Sequence, residues 1–176
     1  MSGDGEVDLL ALASDSGGSA VLLPGLTGPF WPPGPAATSL GAIAGAIPVC
    51  ADLDGDRRAD LVLLRSGVPS GLSILRSMGT ALADPVTLDV EATSVAAADM
   101  DRDGDVDLVT VRPGSRSASF LRNLGDGRFA RPVPLAVGGS PVLVVAAYLD
   151  GDVWPDLAVA NQDGTVAVLL NLGAGR

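Results

Sequence analysis

The sequence predicts an all-β fold of propeller-type blades, each a four-stranded antiparallel sheet. An Asp-rich loop recurs at a near-constant interval, and short β-branched runs bounded by Gly, Pro, Ser and Asp fill the space between copies. No stretch of 12 residues keeps a helical period free of Gly or Pro. The loops are Asp52-Leu-Asp-Gly-Asp-Arg-Arg-Ala-Asp60, Asp99-Met-Asp-Arg-Asp-Gly-Asp-Val-Asp107 and Tyr148-Leu-Asp-Gly-Asp-Val-Trp-Pro-Asp156. Asp8, Asp60, Asp107 and Asp156 are equivalent, standing 52, 47 and 49 residues apart. A period near 50 with several short strands per unit marks a propeller blade or a related β-array.

Four strand positions repeat in each period. The first leads into the loop, as in Ser94-Val-Ala-Ala-Ala98 and Val142-Leu-Val-Val-Ala-Ala147. The second follows the loop at once: Leu61-Val-Leu-Leu64, Leu108-Val-Thr-Val111 and Leu157-Ala-Val-Ala160. The third comes after a polar turn, at 20–23, 72–75, 119–121 and 166–170, and the fourth follows a Pro, at 86–90 and 133–137. This divides one repeat domain into a partial unit 1–42, full units 43–92 and 93–140, and a partial unit 141–176. The turn after the third strand repeats as well. Asn123-Leu-Gly-Asp-Gly-Arg-Phe-Ala-Arg-Pro132 matches 24–33 with Gly127/Gly28, Phe129/Phe30 and Pro132/Pro33 in register, and Asn171-Leu-Gly-Ala-Gly-Arg176 begins the same turn. Gly supplies positive φ in such turns, and the aromatic is expected to plug the gap between adjacent sheets. About three and a half repeats are fewer than a closed propeller needs. The expectation is a partial propeller, completed by further blades of a longer chain or by self-association.

Composition narrows the function. The chain is 47% hydrophobic with only six aromatics, so Val, Leu, Ile and Ala must build its core. Net charge is −10, yet 14 of the 19 Asp lie in the three loops or at Asp4 and Asp8, so acidity belongs to sites more than to the surface. Without Lys, and with 11 scattered Arg, there is no basic patch for nucleic acid. No apolar stretch is long enough to insert a helix in a membrane. Histidine is absent, which removes the commonest general base and transition-metal ligand. Cys50 stands alone in the apolar run 47–51 and is expected to be buried.

An anion-rich loop is costly unless a cation sits in it, because its carboxylates repel and lose hydration. Calcium relieves this with six to eight oxygen ligands in a flexible geometry; magnesium wants a stricter octahedron and keeps more water. Zinc lacks the His and Cys it favours. An EF-hand needs an acid at loop position 12, which here is Leu63, Thr110 or Val159. The last acid falls at position 9, and an Asp loop between adjacent strands remains.

With D-x-D-x-D-G-x-x-D-L between strands and N-x-G-D-G-x-F later in the unit, the chain resembles FG-GAP/VCBS repeats, the calcium-loop blades also found in integrin α-chain propellers. The resemblance implies Ca2+ held in the middle loop by the side chains of Asp99, Asp101, Asp103 and Asp107 and the carbonyl of Asp105. In the first loop it implies Asp52, Asp54, Asp56 and Asp60 with the Arg58 carbonyl. In the third it implies Asp150, Asp152 and Asp156 with the Trp154 carbonyl. Only the middle loop has Gly104 at position 6, where positive φ is often needed; Arg57 and Val153 stand there elsewhere, and Tyr148 replaces the first acid of the third loop. The expected order of occupancy is therefore middle, first, third, with the half-site Asp4/Asp8 empty. The resemblance further implies a non-catalytic extracellular or cell-surface scaffold that binds a protein or glycan, although 1–5 carries no signal-peptide pattern. Two alternatives stand beside it. One is a lectin-like propeller stacking sugars on Trp31, Tyr148 or Trp154; the other is an accessory propeller of a secreted polysaccharide-active enzyme.

Overall fold

The computed structural model describes the backbone of 9–13, 19–23 and 38–39, and residues 48–65, 71–78 and 82–173. All the regular structure among them is β. The strands are β1 (Leu9–Ala13), β2 (Ser19–Leu23), β3 (Thr38–Ser39), β4 (Pro48–Ala51), β5 (Asp60–Arg65), β6 (Gly71–Leu75), β7 (Val86–Leu88), β8 (Ser94–Ala98), β9 (Asp107–Val111), β10 (Ser117–Leu121), β11 (Val133–Ala136), β12 (Pro141–Ala147), β13 (Asp156–Asn161) and β14 (Val166–Leu169). They form four antiparallel sheets of consecutive strands, in the orders β1-β2-β3, β4-β5-β6-β7, β8-β9-β10-β11 and β12-β13-β14. Apart from β2–β3, the connections within each sheet are 4 to 11 residues long, too short for the crossover that a parallel partner needs. The half-site Asp4/Asp8, Trp31, the turn 24–33 and the end of the turn at 174–176 lie outside the described residues.

The chain forms two compact units. One runs to Val90 apart from Leu53–Gly55; the other comprises Leu53–Gly55 and the chain from Glu91 onward. In the first unit β6 is buried at every position, as is β5 from Asp60 to Leu64. A strand covered on both faces reads as a continuous apolar run, which explains Leu61-Val-Leu-Leu64. In the second unit β9 is likewise buried throughout. Its core joins Ala96, Val109, Val111 and Ala118 of one sheet to Val144, Leu157 and Val159 of the next, with Val137 alongside and Phe120, Ala146, Ala167 and Leu169 packed against it. Ser94 Oγ accepts the Val144 N–H at 3.2 Å within this contact. By contrast β14 alternates between exposed and half-buried positions, and the outer face of its sheet presents Leu143, Val145, Val166 and Val168 to solvent.

Two expectations change. Cys50 is exposed, not buried, because β4 is the edge strand of its sheet and alternates between exposed and half-buried positions. Phe129 is half-buried in a bridge with Asn123, and Phe120 is the aromatic packed on the core of the second unit.

Candidate metal centre

Each Asp loop joins the first two strands of its sheet. The ladder closes it, pairing Ala51 with Asp60, Ala98 with Asp107 and Ala147 with Asp156. That rung places the position-9 acid opposite the residue before position 1, so positions 1, 3 and 9 converge. In the middle loop Asp99, Asp101 and Asp107 each offer a carboxylate oxygen within 4.8 Å of the others. Within the loop 52–60, Asp52, Asp54 and Asp60 do the same. The position-5 acids Asp56 and Asp103 fall outside these groups. The third loop, with exposed Tyr148 at position 1, has no such group among the described residues.

The backbone of each loop is wound around its own side chains. Asp52 Oδ2 accepts the Arg57 N–H at 2.8 Å and Asp99 Oδ2 the Gly104 N–H at 3.1 Å, linking positions 1 and 6. Short Asx turns follow. Asp101 Oδ1 accepts from Asp103 N–H, and Asp103 Oδ1 from Asp105 N–H. Asp150 Oδ1 accepts from Asp152 N–H, and Asp152 Oδ1 from Trp154 N–H. In the first loop Asp56 Oδ1 accepts the Arg58 N–H, and its other oxygen pairs with the Arg58 guanidinium at 2.9 Å. These Asp side chains compete successfully for local N–H groups, which is why Asp suits a turn of this kind.

Position 9 has a second occupation. Asp60, Asp107 and Asp156 are fully buried. Asp107 Oδ1 accepts the Asn123 N–H at 2.8 Å and Oδ2 the Met100 N–H at 3.0 Å. Asp156 repeats this with Asn171 and Leu149, and Asp60 accepts the Ser77 N–H. Burial pushes the Asp107 carboxyl up to about 6, against the pull of its two N–H donors, and the charges of Asp101 and Asp103 add to the rise. The N–H groups of Asn171 and Leu149 instead hold Asp156 below the ordinary carboxylate range. In the middle loop Asp99 Oδ1 is buried with no hydrogen-bond partner. A buried, unpaired carboxylate oxygen beside two more carboxylates is costly as it stands and fits a cation.

Left-handed backbone falls at positions 4 and 6 of the loops, and glycine stands at only some of them. Position 6 has positive φ at Gly104 (100°) and Arg57 (68°), whereas Val153 avoids it and the third loop takes another shape. Position 4 has positive φ in all three loops, at Gly55, Arg102 and Gly151. Glycine at two of these places was the available clue; Arg102, at φ 58°, obscured it. The Arg102 guanidinium lies 5.5 Å from the ring centroid of half-buried Trp154, a cation–π contact joining the middle and third loops.

Two further residues, Asn123 and Asn171, were legible only as the starts of turns. Asn123 Nδ2 donates to Leu53 O at 2.8 Å and Val106 O at 2.9 Å, while its Oδ1 accepts the Gly125 N–H. Asn171 Nδ2 donates to Met100 O at 2.7 Å and Pro155 O at 3.2 Å, and its Oδ1 accepts the Gly173 N–H. Their shared place, 16 and 15 residues after the position-9 acid, is the signal that could have found them.

Blade-like antiparallel sheets, each opened by an Asp loop between its first two strands, define an all-β repeat protein of the partial-propeller class. Residues 99–159, about a third of the chain, match the FG-GAP-like repeat. No curated protein matches the chain. Among solved structures it is similar to an Agrocybe aegerita lectin, described by its specific recognition of non-reducing terminal N-acetylglucosamine, with TM-score 0.59 and 17% identity. That match covers 97% of this chain and 51% of the lectin, so the chain spans about half the lectin's length. It is also similar to part of the Tc holotoxin pore of Photorhabdus luminescens, with TM-score 0.54 and 19% identity over 92% of this chain and 8% of that one.

Proposed function

We propose that the chain is a non-catalytic, calcium-binding propeller repeat serving as an extracellular or cell-surface scaffold with a recognition surface. The middle loop carries the reading: three carboxylates lie within reach of one ion, and one of them has a buried oxygen without a hydrogen-bond partner. An all-oxygen, all-Asp donor set suits a hard cation, and calcium tolerates irregular coordination best. Asp99, Asp101 and Asp107 would supply side-chain ligands there; Asp52, Asp54 and Asp60 would do so in the first loop. Bound calcium supplies charge neutralisation to acids that otherwise repel. The chain itself presents the acids, through the Ala98–Asp107 rung and the N–H groups gripping Asp99 and Asp107. The third loop, lacking an acid at position 1, would bind weakly. Extracellular calcium modules bind at roughly 0.1–1 mM, which suits the proposed location. Calorimetric titration of wild type and Asp99→Ala tests the reading. One binding event should disappear from the variant while its far-ultraviolet spectrum stays β; equal heats and stoichiometry would refute it.

The similarity to a lectin favours a second reading, carbohydrate binding. Trp154 is its stacking candidate, yet Arg102 lies over the ring and Gly173 packs against the indole edge. A glycan array including terminal N-acetylglucosamine separates the readings. Binding lost on Trp154→Ala supports the lectin; silence across the array leaves the scaffold.

A further inference from the structure

Asn171 ties two successive Asp loops together without belonging to either. Its Nδ2 donates to Met100 O, position 2 of the middle loop, and to Pro155 O, position 8 of the third. Its own N–H meets Asp156 Oδ1 at 2.8 Å, and its Oδ1 takes the Gly173 N–H at 3.2 Å. Every polar atom of this residue's side chain is therefore committed. The Met100 peptide is held from both sides. Its N–H is bound to Asp107 Oδ2, and its C=O, which leads directly into Asp101, is bound to Asn171. Met100 thus stands between position 9 of the middle cluster and a side chain from the following repeat. Asn123 makes the same set of bonds one repeat earlier, so the arrangement is built into the repeat. The Arg102–Trp154 contact links the same two loops a second time.

We infer that Asn171 is a positioning residue for calcium in the middle loop and couples that loop to the turn 171–173. The inference rests on the calcium reading above. By fixing the Met100–Asp101 peptide, Asn171 holds Asp101 where Asp99 and Asp107 can share an ion with it. Coupling of this kind is reciprocal: what orders the turn tightens calcium binding, and calcium in the middle loop orders the turn. One lost positioning hydrogen bond corresponds to about a three- to tenfold loss of affinity.

The test uses the whole chain and calcium chloride. Wild type, Asn171→Ala and the near-isosteric Asn171→Asp, which lacks the two donors, are titrated by calorimetry, with Asp99→Ala marking the middle-site event. Both Asn171 variants should bind calcium at the middle site several-fold more weakly at unchanged stoichiometry. Wild-type affinity in both would overturn the coupling, whereas no calcium event in wild type would overturn the calcium reading itself. Amide hydrogen exchange in the wild type keeps the test decisive if the variants fail to fold. Calcium should slow exchange at Asn171 and Gly173, and the slowing should vanish in Asp99→Ala, whose third loop is intact. Exchange at these amides indifferent to calcium, or slowed equally in Asp99→Ala, would overturn it.

Discussion

Replacing Asp107 by alanine separates the two duties of the position-9 acid. The side chain is 0% exposed and accepts two backbone N–H groups, the buried one of Asn123 and the partly buried one of Met100. Alanine leaves both donors without a partner, at about 1–3 kcal/mol each. Against this, the variant no longer buries a carboxylate whose pKa is pushed up to about 6, so part of the loss is returned. The balance is a destabilisation of about 2–4 kcal/mol in calcium-free buffer. With a urea slope of about 2 kcal/mol per molar, the unfolding midpoint should fall by about 1–2 M. Trp fluorescence in urea, with calcium chelated, measures it. Were Asp107 only a metal ligand, removing one of several crowded carboxylates would relieve repulsion and raise the calcium-free midpoint. A midpoint equal to or above wild type would refute the argument. Asp101→Ala supplies the contrast: Asp101 accepts one 3.3 Å bond from the Asp103 N–H and pairs at 3.7 Å with the exposed Arg122 guanidinium, so its loss should change calcium-free stability by less than about 1 kcal/mol while weakening calcium binding.

Calcium-free stability should depend on pH with opposite contributions from two buried acids. Asp107, held at about 6 against an unfolded value of about 3.9, binds a proton in the folded state first, so its contribution grows as pH falls from 7 toward 4. Asp156, held below the ordinary range, contributes stability above the unfolded value that is lost as pH falls through its lower folded value. Thermal midpoints of metal-stripped protein should therefore peak on the acid side, at about pH 4, and Asp107→Asn should abolish the rise between pH 7 and 5. Gly151→Ala meets no atom within 4 Å but must adopt φ 84°, so it should cost about 1 kcal/mol by chemical denaturation. Gly173→Ala should cost more, since its Cβ would also stand 2.5 Å from Trp154 Cε2. Arg102→Gly relieves a left-handed backbone but loses the cation–π contact; it should stabilise by about 1 kcal/mol in a Trp154→Ala background and by less in wild type, a difference read from a double-mutant cycle.

Much of the fold was legible because its signals are local. Ser94–Ala98 is a strand at the residues its pattern marked, and the runs after Asp60, Asp107 and Asp156 are the inner strands their continuous apolarity requires. Spacing marked acids at positions 1, 3, 5 and 9; in the first two loops the carboxylates at 1, 3 and 9 lie together, because a loop closed by an antiparallel rung brings its ends together, while position 5 stands apart. What stayed hidden is non-local or depends on competition. Nothing in the sequence near Met100 announces that its carbonyl meets an asparagine 71 residues later. The burial of Asp107 depends on the packing of whole strands, so its hydrogen-bonding duty was invisible beside its charge. Cys50 misled because an apolar run on an edge strand has the same composition as one at the centre of a sheet. Arg102 hid the left-handed position 4 because its backbone conformation runs against its residue type.

The backbone bonds made by Asp60, Asp107 and Asp156 alter what loss of a single acid means for the array. Each holds the opening of its inner strand through protein N–H groups, and needs no ion to do so. Positions 1 and 3 are then free to drift while the blade persists. The third loop illustrates the outcome, with Tyr148 at position 1 and the Asp156 bonds intact. On the calcium reading proposed above, dependence on the ion would be adjustable repeat by repeat, through point substitutions at the loop entrance, without dismantling the sheets that follow.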